Sequence, residues 1–439
     1  MNIRNRKLYD ELKNSTSSAF RILKKFSEKR TVLPSTLKEK TIFRRNGLRS
    51  THFIKVPNLH RFIHQNDKTI LNLSEYKSLI GYINKDKRFI LLRKIDENQA
   101  QHIPHIAFFS FLSQLVEKTG SFKFSSQAFD KLYEEYEHYL YLDAIIYQCF
   151  CLLINFQSDI ERIKLNNGLI IKKISNNERR KILKMRTTRE LDLLQVKWII
   201  QFRVSIKRKE RFTYIPASEN FDNLITALRL FKDGVVGYNN IYAFTLASWD
   251  KSMRANLVER KFSGKKYILS KSEVHEFKKW WKEFTKFKSL MKRKEIEIAI
   301  RRFNYAYERV SLEDKLIDYI IAFESLLLTG EQEKKFRFAL SGAFLLGKEK
   351  KVLKERNRYM KEVKEYLSEA YKLRSNIVHG SKKLKKKIEI DKKEIPMQAF
   401  IERIEEYLRK SIKIYLKIAT KKSKNAILND LDDAIFNIS

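Results

Sequence analysis

The chain has 439 residues, room for two or three domains, and its 43% hydrophobic share excludes a disordered protein. Only 11 glycines and 5 prolines punctuate it, which favours long helices over a turn-rich all-β fold. Lys plus Arg number 91 against 52 for Asp plus Glu, a formal charge of +39 that points to a polyanionic partner, since cationic side chains release the counterions condensed on phosphates.

An AT-rich genome, which favours Lys, Asn and Ile codons, would give an excess of the same sign, so charge alone does not name nucleic acid. The N-terminus, Met1-Asn2-Ile3-Arg4-Asn5-Arg6-Lys7, has no apolar signal core behind it. The longest apolar stretch, about Ala144 to Phe156, is interrupted by Gln148 and Asn155 and is too short to span a bilayer. The expectation is a soluble, cytoplasmic protein with no membrane contact.

Residues 1–135 read as a basic, mixed N-terminal region. A helix is predicted from Lys7 to about Phe26, within a basic stretch that serves either as an arm over phosphate or as a solvated extension. Phe89-Ile90-Leu91-Leu92 is a short strand candidate, and Pro104 to Glu117 reads as a buried helix. His102 and His105 flank Pro104 with no third ligand nearby, so no metal and no cofactor are expected.

Residues 136–270 read as an α+β middle domain. A helical pattern runs from Phe129 to Phe156, with Leu132, Tyr133, Tyr136, Leu140, Ala144 and Tyr147 in register. Cys149 and Cys151 fall in its apolar end, with no other cysteine to complete a metal site, and read as buried small hydrophobes in a reducing compartment. Turn and strand follow over Gly168 to Ile174, then a longer strand over Val196 to Ile206, a short helix from Phe221 to Leu230, and strands over Asn239 to Ala247 and Lys265 to Leu269.

Residues 271–422 carry the helical period throughout, with helices predicted over 272–291, 294–309, 312–329, 333–347, 354–379 and 395–421. Short links suit antiparallel neighbours. Trp280 and Trp281, paired at a helix centre, read as core. Residues 381–393 are a lysine-rich loop, and 423–439 form a tail, either a small helix or frayed. The fold class is therefore α+β overall, with mixed α/β regions followed by an all-α C-terminal part.

The chemistry is concentrated in Glu369-Ala370-Tyr371-Lys372-Leu373-Arg374-Ser375-Asn376-Ile377-Val378-His379-Gly380. Tyr366, Ala370, Leu373 and Ile377 make one apolar stripe, and Gly380 can take the left-handed conformation that stops a helix. His379 then closes the helix, and Arg374 lies five residues earlier, about 140° around its axis. Asn376 is placed between them. An imidazole can move a proton near neutral pH, and a guanidinium can hold two phosphate oxygens as charge grows. That combination suits RNA transesterification, in which the 2′-hydroxyl is the nucleophile and no metal is needed.

Arg374 to His379 resembles the R-x4-6-H signature of HEPN domains. The wider set resembles the Apea-like HEPN family: Arg302-Phe303-Asn304, Glu313-Asp314-Lys315-Leu316-Ile317-Asp318, Ala322-Phe323-Glu324-Ser325-Leu326-Leu327 and Leu373 to Gly380 occur in its order and spacing. Gly168-Leu169-Ile170-Ile171 and Ala227 to Phe231 also look like segments that precede such a domain. The pattern departs near Ser341-Gly342, where relatives often place an arginine. The resemblance implies a four-helix-type bundle that forms a homodimer, with two R-x4-H helices facing across a composite cleft. It also implies a metal-independent endoribonuclease acting on RNA in phage defence or as a toxin. The competing reading is a non-catalytic nucleic-acid-binding or scaffold protein that uses the bundle only to dimerise. Glu324 falls on the edge of an apolar stripe formed by Leu316, Ile320, Phe323 and Leu327, and a carboxylate there needs a partner. It either orients Arg374 or His379, or pairs structurally with Arg302 or Arg337.

Overall fold

The computed structural model describes residues 3–29, 33–43, 49–95, 102–184, 195–208, 217–246, 253–257, 260, 262, 264–328, 334–380 and 384–436. They divide into two units. The first comprises Met1–Tyr147, Ser205–Thr213 and Phe244–Ser252; the second comprises Gln148–Val204, Tyr214–Ala243 and Met253–Ser439.

The first unit begins with helix α1 (Arg6–Glu28). Leu8, Leu12, Ala19 and Leu23 recur at helical spacing and are all buried. The Asn5 side chain caps the helix by accepting from the Leu8 amide at 3.0 Å. Buried Glu137 accepts from the amides of Arg4 (3.0 Å) and Asn5 (2.8 Å), donors that the helix itself cannot satisfy. The basic N-terminal stretch is thus neither an arm nor a solvated extension over this span, because α1 supplies part of the core. An antiparallel hairpin follows, β1 (Ser35–Phe43) and β2 (Arg49–Pro57), paired from Ser35↔Pro57 to Phe43↔Arg49.

Short helices α2 (Leu59–Gln65), α3 (Asp67–Leu71) and α4 (Ser74–Lys85) lead to α5 (Lys87–Ile95). The Phe89–Leu92 strand candidate lies inside α5. Asp86 decides the matter locally, its carboxylate accepting from the amides of Arg88 at 2.9 Å and Phe89 at 3.3 Å, as a helix cap does. Helix α6 (Ile103–Thr119) ends at Gly120, whose φ of 65° is left-handed, and α7 (Ser126–Tyr141) completes the unit's helices. His105 on α6 bonds through Nδ1 to the Tyr76 hydroxyl, which burial pushes up to about 12.

The helix predicted to run on to Phe156 stops at Tyr141, and Ala144–Ile154 form strand β3. Tyr147 and Cys149 to Leu153 are all buried, so both faces of this strand are covered. Such a strand lacks polar alternation and resembles a buried helix in sequence. Cys149 and Cys151 are free and buried, as expected, and burial pushes the Cys149 thiol up to about 12.

Next in the chain come β4 (Phe156–Ser158), β5 (Arg162–Lys164) and β6 (Ile170–Lys173), then α8 (Asn176–Lys184), β7 (Trp198–Lys207), α9 (Ser218–Phe231), β8 (Gly237–Thr245), β9 (Met253–Asn256) and β10 (Tyr267–Leu269). Six strands form one sheet in the order β5-β6-β7-β3-β8-β9, while β10 pairs in parallel with β4. Arg229 of α9 is buried, and desolvation lowers its guanidinium to about 10. It donates to the Val236 carbonyl (2.9 Å) and to Asn304 Oδ1 (2.9 Å), and its Cζ lies 4.4 Å from the centre of the Tyr307 ring.

Helices α10 (Lys271–Phe284), α11 (Lys294–Ala306), α12 (Leu312–Leu327), α13 (Lys334–Gly347), α14 (Leu353–Val378), α15 (Met397–Ala419) and α16 (Lys424–Phe436) complete the chain. The fold is mixed α+β with a helical C-terminal region. A capping box of Ser270 and Glu273 starts α10, and Trp280 and Trp281 lie in the core. Each of α12, α13, α14 and α15 packs against the other three. At the α13–α14 crossing a Cβ on Gly342 would come within 2.4 Å of Leu367 Cδ1, so any larger residue here would have to displace that buried leucine.

Candidate active site

Val363, Leu367 and Ala370 are the fully buried positions of α14, and their spacings of four and three fix which face it turns inward. The helix ends at Val378. His379 follows at φ −86° and ψ 5°, still donating its amide to the Ser375 carbonyl at 3.0 Å. Gly380, at φ 67°, takes the left-handed conformation and donates to the Ile377 carbonyl at 3.1 Å. The glycine stop predicted from sequence is thus present, and it leaves the imidazole at the helix end.

The four candidate residues fall on two helices. Arg374, Asn376 and His379 belong to α14 and its cap, and Glu324 belongs to α12, which packs against it. The Arg374 Nη2 lies 3.6 Å from Glu324 Oε2, with both side chains half-buried. That distance is an ion-pair contact, but it is too long for a hydrogen bond. Arg374 Nε is fully buried and has no acceptor. Asn376 is half-buried and His379 is exposed.

The alternative partners proposed for Glu324 are engaged elsewhere. Arg302 donates to Asp318 at 2.9 Å, Arg309 donates to the other oxygen of Asp318 at 2.8 Å, and Arg337 pairs with Asp432. Asp318 itself is buried. Of the three arginines considered for Glu324, Arg374 is therefore the one that meets it.

Tyr371 belongs to the same cluster and was not singled out from the sequence. Burial raises its hydroxyl, the Glu324 charge adds to that, and Arg374 opposes it. Its ring packs on Phe338 of α13 at 5.3 Å. The signal was available: Tyr371 precedes Arg374 by three residues, so the two share a helix face.

No family model matches this chain, and neither does any curated protein or solved structure. The site's chemistry therefore rests on its own residues.

Two apolar side chains of these helices face solvent: Phe336 on α13 is 56% exposed and Val378 on α14 is 52% exposed. Beyond the site, the lysine-rich loop contains a hairpin, β11 (Lys387–Ile390) and β12 (Lys393–Pro396). Its turn residues Asp391 and Lys392 both take positive φ, 46° and 60°, the pattern of a two-residue hairpin turn. Lys382 and Lys383 lie outside the described residues. Among the described residues no group of three or more His, Cys, Asp or Glu is placed to hold a metal ion. No described helix is long and apolar enough to cross a membrane.

Proposed function

We propose that this chain is a metal-independent endoribonuclease of the HEPN type, acting on RNA as a homodimer through its helical region. The observation that carries this reading is the state of Arg374. Its guanidinium is held near Glu324, yet no described acceptor takes a hydrogen bond from it, and one of its buried donors is unpaired. Such a group gains by donating to a phosphate, because an unsatisfied buried donor costs about 1–3 kcal/mol. Arg302, Arg309 and Arg337, by contrast, are bonded to carboxylates.

The reaction follows from the three side chains at the end of α14. The ribose 2′-oxygen attacks the adjacent phosphorus and loses its proton to an imidazole. The bond from phosphorus to the 5′-oxygen breaks, and that oxygen takes a proton from a second imidazole. A dimer brings two copies of His379, so one serves as base and the other as acid. Arg374 binds the non-bridging oxygens as negative charge builds on them, and Glu324 keeps the guanidinium aimed. Asn376 can donate to the same phosphate. Exposed Phe336 and Val378 offer apolar area to the second copy. The biological role that accords with this chemistry is phage defence or toxin-like arrest of growth.

The test is incubation of the full chain with total RNA in excess chelator, followed by end-group analysis. Fragments should carry 2′,3′-cyclic phosphate and 5′-hydroxyl ends, and DNA should survive. His379→Ala should lower cleavage by about 100-fold or more while RNA affinity and the thermal midpoint stay put. Intact RNA in chelator, with cleavage appearing only when magnesium is returned, would overturn the reading.

A further inference from the structure

The second unit contains a cleft of 930 Å³ that shares no residue with the α14 site. Its walls come from the turn after α9, the link between α11 and α12, and the length of α15. Pockets of about 300–1,000 Å³ are the usual size for small organic ligands. One part of the lining is apolar: Phe231, Val235, Val310 and Leu312. Val310 is 80% exposed, a large apolar side chain presented to water with nothing over it.

The rest is cationic. Seven lysines and arginines line the cleft against four acids. Arg403, Lys410 and Lys413 recur along α15 at spacings of seven and three, which keeps them on one face. The acids are already engaged: Asp233 pairs with Lys265, Glu405 with Arg409, and Glu406 with both Arg403 (2.6 Å) and Lys410 (2.7 Å). Glu402 accepts from Gln398 at 2.8 Å. Lys315 and Lys413, in contrast, have no carboxylate partner among the described residues, although the Lys413 ammonium lies 5.2 Å from the centre of the Trp280 ring. Burial lowers the Lys413 ammonium and Lys417 adds to the effect, while Glu349 and Glu283 oppose it. Gly234 and Gly264 in the lining take φ of 111° and 133°, tight corners where an added Cβ would strike Tyr267 and Val235.

We propose that this cleft binds a nucleoside polyphosphate, with its phosphates against Lys315 and Lys413 and its base against the apolar wall. Inorganic phosphate would use the cations and leave Phe231, Val235, Val310 and Leu312 wet. A neutral apolar ligand would bring no anion to the two lysines. A nucleotide matches both halves of the lining and the volume. This assignment stands independently of the ribonuclease reading.

Calorimetric titration of the full chain with ATP, GTP and inorganic pyrophosphate tests it. Saturable binding of at least one nucleotide is expected, weaker binding of pyrophosphate, and a steep loss of affinity with salt. Combining Lys315→Glu with Lys413→Glu should weaken nucleotide binding by about tenfold or more. Lys315→Gln with Lys413→Gln replaces that pair if charge reversal lowers the unfolding midpoint. No saturation by either nucleotide at millimolar concentration overturns the proposal. So does unchanged affinity in the folded double variant, and so does pyrophosphate binding as tightly as ATP.

Discussion

Arg374 and Glu324 show how a charged pair can be close without being closed. At 3.6 Å the carboxylate steadies the guanidinium but takes none of its donors at bonding distance. A planar fork so placed can change partner with little reorganisation, whereas a lysine there offers a point charge on a flexible stem. Arg374→Lys should therefore lower kcat on RNA by about 100-fold, with circular dichroism and thermal midpoint unchanged. A lysine variant of full activity would show that charge alone suffices at this position. The sequence placed Glu324 on a stripe edge and so demanded a partner. It could not choose among Arg302, Arg337, Arg374 and His379, because that choice depends on how α11, α12, α13 and α14 pack. Tyr371 escaped notice for another reason: an aromatic at a helical spacing reads as core, and only the neighbouring charges mark it as part of a cluster.

Helices α12 and α14 were legible within two residues at their ends, because each has a local punctuation mark. Ser311 caps α12 through the amides of Glu313 (3.1 Å) and Asp314 (3.4 Å), and Gly380 ends the turn after α14. Strand β3 had no such mark, and helix α5 was hidden in a four-residue apolar run that suits either element. What holds the helices to one another was less visible still. Asp318 of α12 receives Arg302 of α11 and Arg309 of the link between them, so one buried carboxylate fixes the α11–α12 turn. Asp318→Asn leaves two cations without their anion and should cost about 3 kcal/mol in urea unfolding, near the low end for a broken buried pair because both arginines reach solvent. A second clamp joins α14 to α15: Glu362 accepts from Arg403 and from the Tyr407 hydroxyl, at 2.6 and 2.7 Å. Burial pushes the Glu362 carboxyl up, but those two bonds outweigh it and hold the group below its ordinary value. A carboxyl depressed in the folded state stabilises above the unfolded pKa of about 4.3, and that stability drains away as pH falls through the folded value. The thermal midpoint should thus drop below about pH 5, and Glu362→Gln should flatten that slope. An identical acid slope in the variant would place the sensitivity elsewhere.

At the scale of the whole molecule, the charge of +39 far exceeds what a single site can use. If it meets RNA along the chain, affinity must be strongly salt-dependent, falling by about 100-fold or more between 50 and 200 mM salt. A flat salt response in filter binding would assign the excess lysines to solvent. The chain's path between its two units has its own consequence. The first unit is assembled from Met1–Tyr147, Ser205–Thr213 and Phe244–Ser252, so the backbone passes from one unit to the other five times. No single cleavage of the polypeptide releases either half intact, and removal of the first 147 residues strands two short segments without their complement. The helices that carry the candidate site thus cannot be tested by simple truncation; they have to be studied with the rest of the chain in place.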